Sequence, residues 1–191
     1  MILDIAIGIL LGTYFNTGET INYFLITMAI LFSLLPDIDI FYFLYQKYIK
    51  KTNIIDHRSW THYPIVYLPI YFLIMSLELF FTTNHTISSI FALAILWHFV
   101  HDTLFIGWGV MWGFPFSKRK YKIFPDKNGK VTSKVLLTWL PKDEAEIVKW
   151  SGGSMKGWLK HYYFKFNIVS ALEYGVFILV LVFVYFKYFM L

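Results

Sequence analysis

Residues 166–189, FNIVSALEYGVFILVLVFVYFKYF, carry only two charges, Glu173 and Lys187. A helix that crosses a bilayer needs about 20 consecutive, mostly apolar residues. Such a stretch has to satisfy its own backbone polar groups in lipid, which only a helix or a closed barrel can do. Four further apolar stretches, 2–15, 21–35, 64–81 and 87–107, share this character. The predicted fold is therefore all-α: a polytopic membrane helical bundle of about five helices.

Two prolines punctuate the pattern. Pro36 ends the second stretch, or alternatively bends one longer helix over 21–49. Pro64 opens the third, where a missing N–H costs nothing. Composition agrees with a membrane chain: 58% of residues are apolar, 21% aromatic and 15% charged. Soluble domains hold about 25% charged residues, so the composition argues against a soluble globular protein. The opening MILDIAIGILLG lacks a basic n-region and a small-residue cleavage site, and reads as a retained helix. There is no cysteine. Disulfides, thiolate metal sites and cysteine nucleophiles are thereby ruled out, and any metal must take nitrogen and oxygen ligands.

The 117–165 segment is polar. An Asn128-Gly129 pair between extended-looking runs predicts a β-hairpin. PKDEAEIVKW (141–150) predicts one short helix with its acidic residues near the start. SGGS (151–154) is a break. The expected organisation is a membrane bundle over 1–116, a cytoplasmic polar segment over 117–165 and a C-terminal membrane helix over 166–191.

Lysine and arginine set the orientation. Lys47, Lys50, Lys51 and Arg58 lie in one connection and twelve more cations lie in 117–165. The connections near 16–20 and 82–86 hold none. The N-terminus, the 47–58 loop and the 117–165 segment are thus expected on the cytoplasmic side of the inner membrane. The net charge of +5 is explained by this bias, and nothing in the chain points to nucleic acid.

That topology gathers ionisable residues at one depth. Asp37 and Asp39 follow the second helix as it emerges. His57 and His62 precede the third, and His98, His101 and Asp102 end the fourth. Asp4 and Glu173 enter from the same side. Ionisable residues inside a membrane are functional by default, and this set lacks neighbouring lysines. A divalent cation would balance it, and a mixed His/Asp shell suits zinc, manganese or iron. His98 and Asp102 are four residues apart, so one helical face offers both. Asp37 and Asp39 diverge on a helix. One can bind metal while the other orients a ligating histidine. His85 and His161 read as loop residues.

Three segments, LLPDIDI (34–40), HRSWTH (57–62) and LWHFVHDTLFIGWGVMWGFPF (96–116), resemble the YdjM-like family of membrane-bound proteins described as metal-dependent hydrolases. The resemblance covers roughly residues 1–125 and falls on Asp37, Asp39, His57, His62, His98 and Asp102. The sequence departs from the family pattern at Ile40, where a histidine is frequent, at Trp60 and Tyr63, where smaller residues are, and at Asp4, where relatives carry a histidine. The resemblance also implies a distant likeness to zinc-dependent phospholipase C, an all-helical metallohydrolase.

The expected activity is metal-dependent hydrolysis of an ester, first a phosphoester, of a membrane lipid or lipid phosphate at the cytoplasmic face. His57, His62, His98 and Asp102 are the expected metal ligands. Asp37 and Asp39 are ligands or general base, and Arg58 is a phosphate anchor. Asp4, His101 and Glu173 are further candidates. Neither a G-x-S-x-G nor an H-E-x-x-H element is present, so a serine hydrolase and a zincin-type protease are not indicated. The alternatives are a metal transporter or sensor, and a structural membrane protein with a non-catalytic metal.

Overall fold

The computed structural model describes residues 1–52, 58, 60–82, 84–104, 109–127, 130–150, 157, 160 and 163–190. The candidate ligand His57, the expected turn at 128–129, the break at 151–154 and His161 lie outside the described residues.

Among the described residues the protein is mostly helical, with a small antiparallel β segment. Helix α1 is Ile2–Phe15 and α2 is Tyr23–Leu34. The chain does not stop at Pro36. It continues as a 3-10 turn (Leu35–Ile38), α3 (Asp39–Leu44) and a π turn (Tyr45–Ile49). One continuous helical run over Tyr23–Ile49 is therefore the form adopted. Proline removes one hydrogen bond and crowds the preceding turn, so the helix tightens locally instead of ending. A 3-10 turn at Pro64–Val66 leads into α4 (Tyr67–Phe81). Helix α5 is Thr86–Thr103 and α7 is Ile168–Phe189, with a short α6 (Glu144–Trp150) between them.

Among the described residues, three helical runs are long and apolar enough to cross a bilayer: Tyr23–Ile49, Pro64–Phe81 and Ile168–Phe189. Helix α1 is apolar but shorter. Helix α5 carries the polar WHFVHD end and ends at Thr103, short of the expected 107.

The described chain divides into two compact units. The first comprises Met1–Pro36, Val66–His98 and Glu173–Leu191, and the second Asp37–Ile65 and Phe99–Leu172.

In the first unit, α1 packs on α2 through two glycines one turn apart. A Cβ at Gly12 would lie 2.5 Å from the Ile26 Cα, and one at Gly8 would lie 2.7 Å from the Ile30 Cα. Small residues at this spacing let helix backbones approach closely in lipid, where dispersion replaces the hydrophobic drive. Gly12→Leu is expected to destabilise the protein by about 1–3 kcal/mol through overpacking. The check is thermal unfolding in detergent, with Gly175→Leu as control, since a Cβ there meets nothing within 4 Å. Helix ends in this unit are capped by distant side chains. Lys187 Nζ donates to the carbonyls of Thr13 (2.7 Å) and Asn16 (2.9 Å) at the end of α1. The Glu78 carboxylate accepts from the N–H groups of Ile87 (2.6 Å) and Ser88 (2.9 Å) at the start of α5.

In the second unit, β1 (Lys120–Ile123) pairs antiparallel with β4 (Leu136–Trp139). Between them β2 (Asp126–Lys127) pairs with β3 (Lys130–Val131), Lys127 facing Lys130. That register agrees with the expected hairpin. Val110 and Tyr121 exchange backbone hydrogen bonds at 3.1 and 3.0 Å, which ties the stretch after α5 to β1. Gly109 sits at φ +79°, where any Cβ would strike the buried Trp139 ring. The Trp139 indole N–H donates to Glu144 at 3.2 Å, and Lys120 meets the same oxygen at 2.7 Å. One carboxylate thus fastens α6 to both strands.

Candidate metal centre

The Pro36 turn aims two aspartates of the second unit differently. Asp37 falls in the 3-10 turn, while Asp39 begins α3 and is buried. Ahead of Pro64, a second 3-10 turn, Trp60–His62, buries Thr61 and His62. On a regular α-helix the two aspartates would diverge. The change of helical pitch lets both reach one imidazole.

His62 is the hub. Its Nδ1 lies 3.1 Å from Asp39 Oδ2. Its Nε2 lies 3.5 Å from Asp37 Oδ1 and 3.5 Å from Asp102 Oδ2. Thr61 Oγ1 donates to Asp39 Oδ2 at 2.7 Å, which pins the carboxylate that orients the ring. Arg58 Nε meets Asp102 Oδ2 at 2.8 Å, with its side chain only 6% exposed. Among these side chains, three carboxylates face one guanidinium. With a neutral ring the group carries two net negative charges, the charge a divalent cation would match.

The protonation of His62 reflects the same crowding. Burial, the largest single influence, pulls its pKa down. The hydrogen bonds to Asp37 and Asp39 and the charge of Asp102 push it up, against a smaller opposing push from Arg58. The net result is a rise from 6.5 to about 9. Without a cation the ring therefore holds its second proton at neutral pH and serves as the counter-charge itself.

The donor set fits a metal. Asp37 and His62 are placed to share one cation. A ligating histidine characteristically hands its other ring N–H to a carboxylate or carbonyl, and Asp39 lies at that position, 3.1 Å from Nδ1. The structure thus separates two residues that the sequence left equivalent: Asp37 lies at Nε2, and Asp39 lies behind the ring.

In the first unit, His98 is buried on α5. Its Nδ1 lies 2.8 Å from the Ser33 carbonyl oxygen. A carbonyl can only accept, so Nδ1 carries the proton and Nε2 is the nitrogen suited to a metal. Asp4 Oδ1 lies 3.9 Å from the same Nδ1, beyond hydrogen-bond range, and its Oδ2 lies 2.8 Å from the N-terminal ammonium. Glu173 is buried and accepts from the Leu3 N–H in the first turn of α1 at 3.4 Å. An acid at a helix N-terminus is favoured there, which gives Glu173 a structural task. His101 is buried in the last turn of α5.

Sequence reasoning missed Thr61 and the Ser33 carbonyl, both of which orient a histidine. No signal marks them: Thr61 is one hydroxyl inside HRSWTH, and Ser33 contributes through its backbone.

The family described as YdjM inner membrane protein matches residues 2–190. Neither a curated protein nor a solved structure gives a significant match.

Proposed function

We propose that this chain, which belongs to the YdjM inner membrane protein family, is a metal-dependent hydrolase that cleaves a phosphoester of an amphiphilic substrate at the cytoplasmic membrane surface. One observation carries this reading: a single buried imidazole has Asp37 and Asp102 at one nitrogen and Asp39 at the other. In this reading His62, Asp37 and Asp102 hold the cation. His98, one helical turn before Asp102 on α5, is proposed as a further ligand on its spacing and on its tautomer. Zinc is favoured by the His/Asp donor set, and manganese or iron would also suit it.

A divalent cation in such a shell would supply Lewis acidity and an activated water at neutral pH. The protein residues do the rest. Asp39, steadied by Thr61, keeps the His62 ring aimed with Nε2 toward the other carboxylates. Arg58 neutralises Asp102 while the cation is absent. With the cation bound, its planar fork is the group available for a phosphate. Asp37, 17% exposed at its side chain, is the carboxylate best placed to take a proton from water.

Metal analysis of purified wild type against His98→Ala, joined to product release from lipid phosphates, tests the reading. Asp39→Asn is expected to leave the fold intact and to lower metal affinity or turnover about 10–100-fold, as loss of an orienting partner does. Wild-type protein that carries stoichiometric metal yet leaves every phosphoester and carboxylester probe intact would overturn the hydrolase. Metal flux into vesicles without turnover would favour transport instead.

A further inference from the structure

A cavity of about 610 Å³ in the second unit is lined by Ile38, Asp39, Tyr42, Trp60 and Thr61. Its volume lies within the roughly 300–1,000 Å³ of small-molecule sites. The polar end is the Asp39–Thr61 pair, and the Asp39 oxygen that takes the Thr61 hydroxyl also holds His62 Nδ1. Asp39 thus lines the cavity and also holds the ring whose other nitrogen lies 3.5 Å from Asp37 and from Asp102. Its remaining walls are hydrocarbon and aromatic. Ile38, Tyr42 and Trp60 are 53%, 56% and 64% exposed, and the Tyr42 hydroxyl is already engaged by Gln46 Nε2 at 2.7 Å.

The surroundings identify the medium. Phe41, Tyr45, Tyr48 and Ile49 on the same helical run are also exposed. Aromatic side chains in such numbers mark the belt where protein meets the bilayer interface. The one charged residue among the described lining residues, Asp39, is negative, so an anionic headgroup is repelled from it and an uncharged chain is not.

We infer that this cavity receives the hydrocarbon chain of the substrate, so that the ester cleaved is a phosphate carried on a long chain. The inference rests on the phosphoester reading and adds where the substrate's apolar part lies. Trp60 and Ile38 are its walls and touch the chain, not the reacting phosphate.

The test uses the full chain, metal-loaded, in lipid nanodiscs, titrated with butyl phosphate and with dodecyl phosphate. Partition of the longer probe into lipid is the same for every variant, so the comparison between variants is the readout. Trp60→Ala removes an exposed wall, and Ile38→Trp fills the cavity. Each is expected to weaken dodecyl phosphate about tenfold or more and to leave butyl phosphate within about twofold, with bound metal unchanged. Unchanged dodecyl binding in both variants overturns the chain subsite and spares the phosphoester site. Equal losses for both probes, or loss of metal, also overturn it, because the side chains would then act on the metal centre. Wild type that binds neither phosphate removes the phosphoester reading and this inference with it.

Discussion

Replacing His62 with alanine is expected to strip the protein of bound metal and to cost about 3–5 kcal/mol of stability in the metal-free form. The ring holds three carboxylates: Asp39 at 3.1 Å, and Asp37 and Asp102 at 3.5 Å. Without it they would crowd one another with Arg58 as the cation left in the set. Deleting one member of a buried ionic group is more damaging than never having built it, since charges stranded in low dielectric keep their desolvation penalty. The effect should be non-additive. In His62→Ala/Asp39→Asn one stranded charge is gone, and part of the lost stability should return. Elemental analysis and thermal unfolding in detergent read both effects. A His62→Ala protein with full metal content and an unaltered melting temperature would dissolve the centre described above.

The second large effect is on pH. The pKa of His62 is raised from 6.5 to about 9 in the metal-free fold. A raised pKa means that the folded state holds the proton more tightly than the unfolded chain does. The stabilisation is therefore complete below about pH 6.5 and is lost as pH climbs through about 9. Metal runs the other way, because a ligating imidazole must give up that proton. Apparent metal affinity should rise about tenfold per pH unit until about pH 9 and then level off. Chelator-treated protein should thus melt at progressively lower temperature between pH 6.5 and 9, while the stabilisation gained from added zinc should grow over the same range. Parallel, flat profiles would mean that His62 neither holds the extra proton nor surrenders it to a metal.

Much of the fold was legible because lipid restricts the options. The long apolar runs could only be helices, and the Asn128-Gly129 signal marked the paired strands on either side. Pro36 was ambiguous by nature. Proline at that position both ends helices and bends them, and only packing decides which. The Gly8–Gly12 spacing was present in the sequence and went unread, although it marks the close approach of α1 and α2. In the site, Asp37 and Asp39 are indistinguishable in a PDxD string. Their division of labour follows from the pitch change after Pro36, a property of backbone geometry. Arg58 was expected as a phosphate anchor, and no local pattern showed that it would also meet Asp102 at 2.8 Å.

The sequence by itself determined that this chain lives in a membrane, that any metal it takes would have to find imidazole and carboxylate side chains, and that those residues punctuate otherwise apolar helices. These follow from composition and spacing, which local physics reads directly. Tertiary structure alone decided which carboxylate faces which nitrogen of His62, which side chain offsets Asp102, and that Asp39 lines an apolar cavity. Those outcomes depend on contacts between residues more than twenty positions apart, and no local pattern encodes the distance between side chains that meet only after the chain has folded.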